Sequence, residues 1–376
     1  MIQKHKWLWT VLFMLAAGAN AQRLPADKKA TKSTIALYKN LYRLPARGYL
    51  VGHQDALAYG VHWKYKAGNS DVKAVTGDYP ALYGWELGDL EKGAPVNLDS
   101  VPFAAMKKYI REGYERGGAI TISWHGNNPL TGKSAWDTTS GTVAAILPGG
   151  SKHALFVQQL DTVAGFLKSL KGKKGEAIPL IFRPFHELTG SWFWWGAKSC
   201  TAAELIMLFR FEVDYLRNTK GLHNLLICYN TANDFQTQEQ FLERYPGDDY
   251  VDIVSFDGYQ YGAPSNSVAF AEKLSAQLSV VEAVAKEKQK IAAIGELGYN
   301  LIPDVQWFTK TVSAAVKKHH FAYLLYWRNA GFKPKDNAME YYIPYKGHAA
   351  APDFIQYYRQ PETLFEKEAA ALKLYR

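Results

Sequence analysis

The sequence predicts one (β/α)₈ barrel, and three observations point to it. Short apolar runs recur along the chain, an amphipathic stretch follows most of them, and each run ends on a polar or aromatic group suited to lining a cleft. The candidate strands are 48–52, 81–85, 119–124, 178–182, 224–229, 252–256, 291–295 and 323–327. Continuous apolar runs of this length suit strands covered on both faces, as in a parallel sheet. Helical periodicity runs over 103–116, 153–170, 201–218, 268–288 and 305–319, with Thr201 and Glu204 placed as a capping box for the third. Eight such units match a barrel. A doubly wound open sheet is the alternative, but it calls for a glycine-rich phosphate turn after its first strand. Gly52-His53-Gln54-Asp55 is not one.

Ahead of the first unit, Lys4 and Lys6 precede an apolar run from Trp7 to Ala17, and Ala19-Asn20-Ala21 follows. This pattern reads as a secretory signal peptide over 1–21, cut after Ala21. The run is shorter than the roughly 20 residues of a membrane span, so membrane insertion after cleavage is not expected. No cysteine lies near the cut to carry a lipid. Residues 22–376 contain no Pro/Gly/Ser-rich linker and are expected to form a single domain, exported to the periplasm or beyond.

The formal net charge is +9, but the basic residues are scattered in small groups such as Lys171, Lys173 and Lys174. Nothing forms a nucleic-acid stripe. Aromatic residues make up 14 % of the chain, with 11 Trp and 24 Tyr, a composition suited to ligands that are apolar on one face and hydroxylated at their edges. Sugars are such ligands. Cys200 and Cys228 are expected to be free thiols, and no Cys/His cluster has metal-ligand spacing.

In a barrel, active-site groups sit at the C-terminal ends of the strands. Read in that register, the units end in His53-Gln54-Asp55, Trp85-Glu86 with Asp89, Trp124-His125, Arg183-Pro184-Phe185-His186-Glu187, Asn230, Asp257-Gly258-Tyr259, Gly295-Glu296 and Trp327-Arg328. Glu187 and Glu296 stand out as carboxylates that can face each other across the mouth. A retaining glycosidase needs such a pair about 5–5.5 Å apart, whereas an inverting enzyme leaves a wider gap for water. The alternative is an ordinary ion pair of each glutamate with Arg183 or Arg328. After Glu187 come Trp192-Phe193-Trp194-Trp195, four rings that cannot all point into one core, so some are expected at the surface.

Together, Arg183-Pro184-Phe185-His186-Glu187, Gly190-Ser191-Trp192-Phe193-Trp194-Trp195-Gly196 and Gly295-Glu296 resemble glycoside hydrolase family 26. The resemblance runs from Gly52-His53-Gln54 to Trp327-Arg328. It implies that Glu187 is the acid/base, Glu296 the nucleophile and Tyr259 a hydrogen-bond partner of the nucleophile, with Asp257 ordering the site. It further implies that His125 and His186 contact the sugar in subsite −1, that Trp327 is the floor of that subsite, and that Trp192 is a stacking platform in subsite +1. Arg328 becomes a contact further along the glycone side. The implied substrates are β-1,4-mannan and manno-oligosaccharides, with mixed-linkage β-glucan or β-1,3-xylan as minority activities. The implied chemistry uses no metal or cofactor, and a monomer is expected. Internal attack and release of mannobiose from chain ends both remain open, with the segment 126–152 as a loop that could decide. A non-catalytic carbohydrate-binding barrel would have lost one carboxylate, and a serine esterase would need a G-x-S-x-G elbow that is absent.

Overall fold

The computed structural model describes residues 24–376, so the predicted signal peptide lies outside the described residues. Eight strands pair in parallel around a closed ring: β1 (Tyr49–Gln54), β2 (Leu82–Glu86), β3 (Ala119–Ser123), β4 (Leu180–Arg183), β5 (Leu225–Thr231), β6 (Ile253–Gln260), β7 (Ile291–Tyr299) and β8 (Tyr323–Tyr326). Pairing of β8 with β1 closes the barrel. A short extra strand, Thr363–Leu364, pairs alongside the start of β1.

Side chains on a strand alternate between faces, so every second residue points into the barrel. Near the strand starts the inward positions are apolar: Leu50, Leu82, Ala119, Ile181, Leu226, Ile253, Ile291 and Tyr323 pack in one cluster. Leu37 and Leu41 of the helix Lys32–Arg43 join that cluster and close the N-terminal end. Thr31 caps this helix through its side chain. Following the same parity upward, the inward positions turn polar: Gln54, Glu86, Ser123, Arg183, Asn230 and Asp257, joined by Glu296 through a register shift, all buried. The outward positions pack against the surrounding helices, including Phe103–Glu115, His153–Ser169, Ala202–Asp214 and Ser267–Lys288, in a second and larger core. The capping box of Thr201 and Glu204 forms as expected.

On β7 the register breaks once. Phe256 pairs with Ile294 and Asp257 with Glu296, leaving Gly295 as an extra residue, a bulge. Only glycine fits there, because a Cβ on Gly295 would lie 1.8 Å from Asn230 Oδ1. Without the bulge, Glu296 would fall on the outward face.

Two small hairpins stand beside the β1–β8 seam. One pairs Tyr59–Gly60 with Trp63–Lys64, the other Gly331–Lys333 with Ala338–Glu340. Asn329 ties the region together, donating to Asp71 Oδ2 at 2.8 Å and to the Ile343 carbonyl at 2.9 Å. Both cysteines are free thiols. No helix among the described residues is long and apolar enough to cross a membrane.

Candidate active site

Glu187 stands just beyond β4 on an unusual backbone. Phe185 and Glu187 both have positive φ, 49° and 51°, a conformation that costs energy for residues with a Cβ and tends to persist where function requires it. The following aromatics hold this turn in place. Trp195 Nε1 donates to the His186 carbonyl at 2.9 Å, and Trp194 Nε1 to the Gly126 carbonyl at 2.8 Å. Phe193, Trp194 and Trp195 are buried. Of the four consecutive rings only Trp192 is exposed, at 40 %, and its Nε1 donates to Glu187 Oε2 at 2.6 Å.

Glu296 lies inside the mouth on β7. It accepts from Arg183 Nη2 at 2.7 Å and from the Tyr259 hydroxyl at 2.6 Å. Arg183 Nη1 also lies 3.6 Å from Asp257 Oδ1. The ion-pair alternative is thus half realised: Arg183 pairs with Glu296, while Arg328 pairs with neither glutamate. Single carboxyl oxygens of Glu187, Asp257 and Glu296 all lie within 4.8 Å of one another, the one acidic group among the described residues with metal-like spacing. The Arg183 guanidinium already bonds or pairs with two of the three.

The electrostatics separate these acids. Burial and the nearby charge of Glu296 push the Glu187 carboxyl up to about 7, against the opposing hydrogen bond from Trp192. Burial and the charge of Glu296 likewise hold Asp257 well above the ordinary carboxyl range. A carboxyl that carries its proton near neutral pH is poised to donate it.

His125 and His186 come together next to this pair, with Nε2 to Nε2 at 3.0 Å and rings edge to face. Both are buried. Trp327 follows β8 and is half-buried, with the Arg328 guanidinium 5.8 Å from its ring. Arg328 Nε donates to Glu340 Oε1 at 2.7 Å, and the same guanidinium pairs with Asp99. Arg328 also lines a cavity of about 260 Å³ with Tyr59, Phe332 and Lys333 between the two hairpins. Every predicted site residue therefore gathers around the C-terminal mouth. His53, a strand-end residue with no assigned role, faces out of the barrel: its neighbours Gly52 and Gln54 hold the inward parity, and it lies beside Asp71 and Asn329.

Two residues were not singled out as site residues from sequence. Trp136, in the segment 126–152, is 50 % exposed and stacks on His125 with ring centroids 5.1 Å apart. A large ring among the small and charged residues of Lys133-Ser134-Ala135-Trp136-Asp137 was the available signal. Glu86 is the other, bonded to His125 from β2.

The family model for glycosyl hydrolase family 26 matches residues 26–332. Among solved structures, a β-mannanase of that family from Bacteroides ovatus is 41 % identical, with 92 % of this chain and 98 % of that chain covered at a TM-score of 0.87. The mannan endo-1,4-β-mannosidase of Bifidobacterium adolescentis is 33 % identical over 349 residues, covering 88 % of this chain and 34 % of that protein. The mannan endo-1,4-β-mannosidase of Thermothelomyces thermophilus is 30 % identical over 291 residues, covering 74 % of this chain and 53 % of that protein. The match thus spans about a third and about half of these two relatives' lengths. With the family model matched over 26–332 and the barrel shared with a solved member of that family, the chain belongs to glycosyl hydrolase family 26.

Proposed function

We propose that this protein is a retaining glycoside hydrolase that cleaves β-1,4-mannosidic linkages in mannan and manno-oligosaccharides, with Glu187 as acid/base and Glu296 as nucleophile. The observation that carries this reading is the pair of carboxyl oxygens within 4.8 Å, in environments that push one of the two acids up to about 7. Oxygens this close suit direct attack by one acid while the other protonates the leaving group, as in a retaining enzyme. Glu187 gives its proton to the glycosidic oxygen as Glu296, oriented by Arg183 and Tyr259, attacks the anomeric carbon. The C–O bond to the leaving sugar breaks and a glycosyl ester on Glu296 forms. Glu187, now a carboxylate, takes a proton from the incoming water, which releases the sugar with its original configuration.

Trp192 and Trp327 offer ring faces on the two sides of the scissile bond, and His125, His186 and Asp257 supply the polar wall of the −1 sugar. Arg328 serves the glycone side. Mannan as substrate is supported by the activities of the relatives above, which are mannanases. The chain is proposed to act as an exported monomer, after removal of residues 1–21.

A time course on linear mannan and galactomannan tests the reading. Internal cleavage drops viscosity early while reducing ends accumulate slowly; release of mannobiose with viscosity nearly unchanged marks attack from chain ends. No new reducing ends on either mannan would overturn the substrate assignment.

A further inference from the structure

Glu86 has no part in the mechanism above, yet four donors converge on its buried carboxylate. Oε1 accepts from the backbone N–H of Gly88 at 2.6 Å and of His125 at 2.7 Å. Oε2 accepts from Ser123 Oγ at 2.6 Å and from His125 Nδ1 at 2.8 Å. A carboxylate with this many donors is held ionised, and an ionised carboxylate only accepts. The hydrogen between Glu86 and His125 therefore belongs to Nδ1 of the imidazole. At the far edge of that ring, the two Nε2 atoms of His125 and His186 face each other at 3.0 Å and must share one hydrogen. His186 Nδ1 is buried and has no partner in the protein, and His186 immediately precedes Glu187.

We propose that Glu86 is a positioning residue of the reaction: it fixes the hydrogen-bonding state of His125 and, through His125, the tautomer of His186 and the charge that acts on Glu187. The proposal rests on the retaining-glycosidase reading of Glu187 and Glu296. If His125 carries both ring hydrogens, His186 accepts at Nε2 and its own hydrogen sits on Nδ1. If His125 is neutral, His186 donates from Nε2 and Nδ1 becomes an acceptor. A carboxylate that sets an imidazole tautomer plays the same part in the serine-protease triad.

The surroundings favour the first state. Burial alone would lower His125, but the Glu86 carboxylate raises it above the ordinary imidazole range, with smaller help from Glu296 and Glu187. Burial holds His186 well below that range, and the charges of His125 and Arg183 add to the effect. Glu86 itself is held at about 2, because the charge and hydrogen bonds of His125 outweigh burial. The other groups against His125 are the rings of Trp136 and Phe193, which carry no charge. Through space, the His125 cation also favours ionisation of Glu187.

Glu86→Gln keeps the volume and removes the charge. It should lower kcat on manno-oligosaccharides by about tenfold to a hundredfold, the size of loss seen when the carboxylate behind a metal-bound imidazole is removed. It should also move the alkaline limb of kcat/KM to higher pH, because Glu187 loses a facing cation. A residue that merely fills space would lower the melting temperature while kcat per folded molecule and the limb stayed in place, and that result would overturn the proposal. A second measurement does not depend on the variant folding. Nitrogen-15 NMR of histidine-labelled, unliganded wild-type protein should find His125 Nδ1 protonated throughout pH 5–8; a bare Nδ1 in that range overturns the proposal. The spectrum needs no turnover, so its failure is separate from failure of the glycosidase reading, which an inactive wild-type protein would sink on its own.

Discussion

One carboxyl oxygen of Glu187 and one of Glu296 lie within 4.8 Å of each other, although the first follows β4 and the second is part of β7. The bulge at Gly295 turns Glu296 inward, and the left-handed backbone at Glu187 belongs to the turn that presents its side chain. The two acids differ in what they touch: Glu296 accepts from Arg183 and Tyr259, Glu187 from the Trp192 indole alone.

The two glutamates should fail differently. Glu187→Ala should lose about 10²–10⁴-fold in kcat on mannan, the usual worth of general acid–base catalysis. On an aryl β-mannoside with a good leaving group it should keep a rapid first step and show a burst of phenol. Glu296→Ala should lose both steps on both substrates. Equal behaviour of the two variants on the aryl substrate would contradict the assigned roles.

The alkaline side of the pH profile should report Glu187. Its carboxyl is raised to about 7 and must be protonated to act, so kcat/KM should fall as pH rises through about 7. The Trp192 hydrogen bond favours the ionised form. Trp192→Phe keeps a ring for stacking and removes that bond, so the limb should move to higher pH. A shift to lower pH would contradict the geometry.

Tyr259→Phe removes one of the two donors to Glu296. A hydrogen bond to a charged acceptor is worth about 1.5–3 kcal/mol, so kcat should fall on the order of 10- to 100-fold, with a drop in melting temperature alongside. A change confined to KM would place Tyr259 in substrate binding instead.

Gly295→Ala tests the bulge. The added Cβ meets Asn230 Oδ1 at 1.8 Å, and the backbone must move to relieve it. Overpacking of this kind costs about 1–3 kcal/mol, readable in urea unfolding. Activity should drop further than stability, because the displaced residue is Glu296's neighbour.

Strand starts were readable because the apolar runs begin where the barrel interior does. Strand ends were less so: β6 runs on through Asp257-Gly258-Tyr259-Gln260 and β7 through Tyr299, since backbone pairing continues after the side chains turn polar. Strand parity explains His53, for Gly52 and Gln54 take the inward positions and leave it facing out. The helix Lys32–Arg43 was missed although Leu37, Tyr38 and Leu41 have helical spacing and Thr31 is a capping residue; its charged face diluted the signal. Trp136 and Glu86 gain their places through His125, and the Glu86 contact joins segments 39 residues apart that no local pattern links.

Covalent trapping tests the central assignment most directly. A 2-deoxy-2-fluoro-β-mannosyl fluoride, or its mannobiosyl form, slows hydrolysis of the glycosyl-enzyme so that the labelled peptide can be mapped by mass spectrometry. The adduct should lie on the peptide containing Glu296 and vanish in Glu296→Ala. A label on Asp257 or Glu187, or no label together with α-configured first product, would contradict it.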